Sequence, residues 1–126
     1  MATIQHRVFV YGTLKKGGAL HQHLGYAEFL GLDQLNGYMM FNTGWFPTVV
    51  KTHDQTKAIH GEVYLVDDLN FNRLDTVEGN LFKKERCKTS YGTAFIYIHN
   101  DNYPSPFTNT NFARIEDGFF YVGNND

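Results

Sequence analysis

The chain has 126 residues, 42% of them hydrophobic and 16% aromatic, which suits a single domain with its own core and argues against disorder. A formal net charge of −2, with no long basic run, gives no electrostatic support to a nucleic-acid or anionic-membrane partner. One cysteine, Cys87, excludes an intrachain disulfide and fits a reducing compartment.

Residues 1–10 lack the charged-then-apolar pattern of a signal peptide, and no apolar run reaches membrane-spanning length. A soluble, cytoplasmic protein is the expectation. The 11 Phe and 8 Tyr favour strands over helices.

Residues 8–11 read as a buried strand that breaks into Gly12-Thr13, two lysines and a Gly-Gly pair. A strand ending this way leaves N–H groups free for water or for an anion, and Gly12 would let a ligand approach the main chain. A strand followed by a turn is the plainer reading. Residues 19–24 suit one or two helical turns, with Leu20 and Leu24 on one face. Residues 27–35 read as a strand, and Asn36-Gly37 as a hairpin turn into residues 38–41. Residues 46–51 form the next predicted strand, with Pro47 at its start, where a missing N–H is tolerated.

Residues 59–66 alternate, Ile59, Gly61, Val63 and Leu65 on one face and His60, Glu62, Tyr64 and Val66 on the other. Asp67-Asp68 then suits a helix start, and Gly79 its stop, with a helix over about 69–77. Residues 82–91 and 93–99 form a predicted hairpin around Gly92. Residues 100–111 are a loop, and residues 118–122 a closing edge strand. The pattern predicts one α+β domain over residues 1–126, a small mixed β-barrel or bent sheet with one main helix.

Glu78 lies four residues after Leu74 and shares its helical face. If Leu74 enters the core, the carboxylate turns inward at the negative end of the helix dipole. Burial and dipole then both raise its pKa towards the range useful for proton transfer near neutrality. A solvated glutamate on a fraying helix end is the commoner outcome for such a position.

Other chemistry has less support. His21 and His23, at i,i+2, face different ways and have no Cys or acidic partner, so no metal site is expected. Cys87 beside Arg86 and Lys88 reads as a structural thiol. There is no Gly-x-Ser-x-Gly elbow, and Gly12, Gly17 and Gly18 match neither a dinucleotide fingerprint nor a P-loop.

Three stretches, taken together, carry a resemblance. Val8-Phe9-Val10-Tyr11-Gly12-Thr13-Leu14-Lys15-Lys16-Gly17, then Gly61-Glu62-Val63-Tyr64, then Leu74-Asp75-x-x-Glu78-Gly79 resemble the γ-glutamylcyclotransferase-like superfamily. The chain is nearest to its γ-glutamylamine cyclotransferase and AIG2-like branch. Phe46-Pro47-Thr48-Val49 is similar to the family's pocket-lining segment, while residues 94–98 and 115–119 resemble its late strand and closing segment.

The resemblance implies a mixed barrel with a side cavity that binds a small-molecule γ-glutamyl substrate. Backbone amides of Tyr11, Gly12, Thr13 and Leu14 would hold its carboxylate or carbonyl oxygen. Glu78 would act as general base and acid while the α-amino group attacks the side-chain carbonyl, releasing 5-oxoproline and an amine. No metal or organic cofactor is implied. Phe46, Pro47 and Phe82 would line the pocket, with Tyr11, Tyr64 and Tyr97 as further possible wall residues.

Two positions depart from the family pattern, which carries tyrosine and arginine where this chain has Phe82 and Lys84. The first loses a phenol and the second a bidentate fork. A binding module, holding a small anionic metabolite without turnover, is therefore the alternative, and a purely structural or interaction protein a third. No oligomeric state is readable from the sequence.

Overall fold

The computed structural model describes residues 4–122. In chain order these form β1 (Gln5–Val10), a 3-10 turn (His21–Leu24), β2 (Glu28–Asn36), β3 (Tyr38–Asn42), β4 (Pro47–Lys51) and β5 (Ala58–Asp67). Helix α1 (Asp68–Glu78), β6 (Phe82–Thr89), β7 (Gly92–His99) and β8 (Ala113–Ile115) follow. Five strands make the larger sheet in the order β2-β5-β1-β7-β6, and β4-β3-β8 make a smaller one.

Alternation along the central strands gives both faces of the larger sheet an apolar surface. Phe9 and Tyr11, with Ile59, Val63, Ile96 and Ile98, pack towards Met40 and Val49 of the smaller sheet. Val8 and Val10, with Tyr64, Val66 and Tyr97, pack towards Phe71 and Leu74 of the helix. The result is three layers: helix, large sheet, small sheet. The expected alternation of β5 holds, except that Leu65 is only half-buried, and its other face is as apolar as the first from Tyr64 onward.

Helix α1 begins where the sequence places it. The Asp67 carboxylate accepts the backbone N–H of Asn70 at 2.8 Å, and Asp68 sits in the first turn. Gly79 ends it with φ 79°, a conformation suited to glycine, and its N–H bonds the Asp75 carbonyl. No helix of the described residues is long and apolar enough to cross a membrane.

Three expectations change. The sheets are bent but do not close into a barrel, since β2 and β6 remain as edges of the larger one. Asn36-Gly37 is not a hairpin turn: Asn36 pairs with Ala58 in the larger sheet, whereas Tyr38 pairs with Lys51 in the smaller. The glycine lets the chain change sheets, with φ 86° and its N–H on the Lys57 carbonyl. Residues 118–122 form no strand; the last strand is β8, paired with β3. The tail is held instead by single bonds, from His60 N–H to the Gly118 carbonyl and from the Lys15 ammonium to that of Phe120.

Candidate active site

Where β1 runs out, the chain turns through Gly12, Thr13 and Leu14 beside the C-terminal end of α1. A cavity of about 350 Å³ opens between them. Tyr11, Gly12, Thr13 and Leu14 form one wall, Phe46 and Pro47 a second, and Glu78 and Phe82 a third. The structure thus brings all eight residues singled out from the sequence around one space. Trp45, Val77, Leu81 and Leu20 complete the lining. Those four flank the expected residues in sequence or pack against them, but no motif marks them.

Glu78 enters this cavity because it continues the buried stripe of the helix one turn beyond Leu74, which is fully buried. Burial raises its carboxyl to about 7, far above its ordinary 4.5. At neutral pH it therefore exists in comparable amounts as acid and base. Tyr11 lies near it: burial first, and the Glu78 charge second, push the Tyr11 phenol up. That phenol donates to the Tyr97 carbonyl at 2.6 Å, and so is held away from proton transfer.

The 12–14 loop is fixed by its carbonyls. That of Gly12 accepts Lys15 N–H, that of Thr13 accepts Leu20 N–H, and that of Leu14 accepts Nδ1–H of His21 at 2.9 Å. In a trans peptide the N–H points opposite to the preceding carbonyl. The Thr13 and Leu14 N–H groups find no acceptor among the described residues. Two unsatisfied donors beside an acidic group can receive an anionic or developing anionic oxygen.

Gly12 lines the cavity and also has a packing role. A Cβ on it would stand 2.6 Å from Cγ of Pro47, so the missing side chain makes room for the proline ring. Gly18 is likewise closed off, since its Cβ would meet the Thr13 carbonyl oxygen at 2.2 Å. These contacts pin the loop between its neighbours.

The Gly61-Glu62-Val63-Tyr64 stretch supports the loop from behind. Gly61 permits close passage of β1, for a Cβ there would lie 2.3 Å from the Val10 carbonyl oxygen. The Glu62 carboxylate accepts Lys16 N–H at 2.9 Å and the Tyr64 hydroxyl at 2.9 Å. Lys15, only 3% exposed, reaches the other way to the Phe120 carbonyl, its ammonium 3.9 Å from the centre of the Phe119 ring. Burial lowers its pKa, opposed in part by Glu62. His21 and Lys15 are loop-holding residues that sequence reasoning did not single out.

The two departures fall in different surroundings. Phe82 lines the cavity, its ring 5.6 Å from that of Phe46. Lys84 stands outside it, 3.2 Å from Asp75 and 4.3 Å from the centre of the Phe71 ring. Of the other possible wall residues, Tyr64 and Tyr97 are buried without lining the cavity. Among the described residues no three His, Cys, Asp or Glu side chains are placed to hold a metal ion. Cys87 is buried, and burial pushes its thiol up to about 12.

A carboxyl raised by burial thus shares one cavity with the Thr13–Leu14 turn, on a bent α+β fold. Residues 8–118 match the family of gamma-glutamyl cyclotransferase, AIG2-like, proteins, and the chain belongs to that family. It is 36% identical over 103 residues to a Vibrio cholerae protein named "Putative gamma-glutamylcyclotransferase", covering 79% of this chain and 87% of that one. The Escherichia coli K12 protein YtfP, named as a gamma-glutamylcyclotransferase family protein, is 28% identical over 95 residues, 74% of this chain and 81% of that one. The fold is also similar to the crystal structure of protein PH0828 from Pyrococcus horikoshii, with TM-score 0.76 and 32% identity. That likeness covers 90% of this chain and 88% of the other.

Proposed function

We propose that this chain is a cofactor-independent cyclotransferase that converts a γ-glutamyl amide to 5-oxoproline and a free amine. The observation that carries the reading is Glu78, a carboxyl raised by burial to about 7 that lines the same cavity as Thr13 and Leu14.

The reaction needs three things. The substrate's α-amino group must be neutral to attack and must give up a further proton as it does, which a positioned base near 7 assists. The attack is intramolecular, so holding one rotamer supplies much of the rate. The γ-carbonyl oxygen becomes an oxyanion, for which backbone N–H donors are suited. Starting from the neutral amine, Glu78 takes a proton from the α-nitrogen as the N–Cδ bond closes the five-membered ring. It returns that proton to the leaving nitrogen as the original amide bond breaks. Atoms and charge balance with water and metal left out.

Incubating the wild type and Glu78→Gln with a panel of γ-glutamyl amines and γ-glutamyl peptides, and assaying 5-oxoproline by mass spectrometry, tests the proposal. Product from the wild type alone supports it. Binding without product in either protein would make the cavity a binding module, a reading that Phe82 favours because it offers no phenol to the substrate.

A further inference from the structure

A second cleft, of about 270 Å³, adjoins the catalytic cavity. Trp45, Phe46, Leu81 and Phe82 line both, so the two spaces meet across the Phe46–Phe82 ring pair. Beyond that pair the cleft is walled by Thr43, Thr48, His99 and Phe112. None of the lining side chains is an acid, a lysine or an arginine.

One polar group in it is unsatisfied. Thr48 is 2% exposed, and its hydroxyl has no hydrogen-bond partner among the described residues. Thr43, by contrast, spends its hydroxyl on the Phe46 carbonyl at 2.8 Å, and His99 Nε2 is near the Tyr103 carbonyl at 3.4 Å. A buried hydroxyl without a partner is costly and uncommon, so a ligand atom that reaches it gains a bond the protein does not make for itself.

We infer that this cleft receives the leaving amine, and that the preferred substrates are γ-glutamyl amides of arylalkyl amines bearing one hydrogen-bonding group and no carboxylate. The inference rests on the cyclotransferase reading above, which places the γ-glutamyl group in the first cavity. An amino-acid leaving group would bring its carboxylate into a mostly apolar cleft without a lysine or arginine, which is unfavourable. An aromatic body instead meets Phe82 and Phe112, and a phenol or indole N–H can engage Thr48.

Trp45 is the only tryptophan of the chain and is 88% exposed at the shared mouth, so its fluorescence reports occupancy. Glu78→Gln protein, which keeps the substrate intact, is titrated with γ-glutamyl-tyramide, γ-glutamyl-phenethylamide and ε-linked γ-glutamyl-lysine. The tyramide is expected to bind at least about tenfold tighter than the lysine compound. Adding Thr48→Val should weaken the tyramide about fivefold and leave the phenethylamide unchanged. Phe112→Ala, at a half-buried position, should weaken both aryl amides and spare the lysine compound. Equal affinities across the three, or a tyramide indifferent to both variants, would overturn the inference. Wild-type 5-oxoproline release is scored separately. Release that favours the lysine compound keeps the cyclotransferase and rejects the cleft. Selective binding without release rejects the cyclotransferase and retains the cleft.

Discussion

The ring of Pro47 occupies the place where a side chain on residue 12 would have to go. A Cβ at Gly12 would meet Cγ at 2.6 Å and Cδ at 2.9 Å. Pro47 is buried and begins β4, so it has little room to retreat. Gly12→Ala is therefore expected to destabilise the fold by about 1–3 kcal/mol and to displace the loop beside Glu78. Adding Pro47→Ala should return most of that loss. A double-mutant cycle by urea unfolding measures the coupling; additive effects would mean that the two residues do not oppose each other.

Glu78 ties activity and stability to pH in opposite directions. Its base form dominates above about pH 7, so kcat/KM for 5-oxoproline release should rise with pH and level off past that point. A solvated glutamate would give an inflection near 4.5 instead. For stability, the folded state binds the proton more tightly than the unfolded chain does. The Glu78 contribution is therefore fully present below about pH 4.5 and is lost as pH rises through 7. Glu78→Gln should accordingly be the more stable protein at pH 8, by up to roughly 3 kcal/mol, and the gap should close towards pH 4. Paired urea unfolding at the two pH values reads it directly.

Lys84 should matter little to turnover. Burial opposes the Asp75 charge, but hydrogen bonds from Tyr97, at 2.6 Å, and from Lys84 outweigh it and hold that carboxyl below its ordinary value. The lysine acts on Asp75 and lies outside the cavity. Lys84→Met is expected to leave 5-oxoproline release within about twofold, cost under about 1 kcal/mol and raise the Asp75 pKa. Steady-state kinetics and an NMR titration of the carboxyl check these together. A large fall in kcat would place the charge in the mechanism.

Glu62 positions the loop without touching the cavity. Glu62→Ala removes the acceptor for Lys16 N–H and for the Tyr64 hydroxyl, and should cost about 1–3 kcal/mol. It should lower kcat/KM about tenfold while leaving the pH inflection in place, because Glu78 is unchanged. Glu62→Gln keeps an acceptor oxygen and should recover most of the loss. A shifted inflection in either variant would show that Glu62 acts on the titration of Glu78.

Legibility from sequence followed the range of the interactions. Leu74 and Glu78 are one turn apart, so helical spacing offers an inward carboxyl, but spacing alone favours a solvated one and the motif resemblance decides the choice. The strand beginning at Pro47 and the helix stop at Gly79 are equally local. Asn36-Gly37 misled because β2 finds its partner in β5, some twenty residues on, and no local pattern carries that pairing. Residues 118–122 are apolar enough for a strand, yet Lys15 and His60 claim their carbonyls one at a time. Trp45 and Leu81 stand next to Phe46 and Phe82, but their place at the cavity mouth depends on how the two sheets meet.

Strand β1 precedes the other described strands in the chain but occupies the middle of the larger sheet. It pairs with Gln5–Asp67 and Val10–Glu62 registers on one side and in parallel, at Val8 with Phe95, on the other. During synthesis it must wait, unpaired, until β5 and then β7 have emerged. The loop that follows it reaches its place beside Glu78 only after both flanks have arrived. A growing chain therefore has no half-built pocket to expose, and an interruption anywhere before β7 leaves an aromatic strand open to the wrong partner.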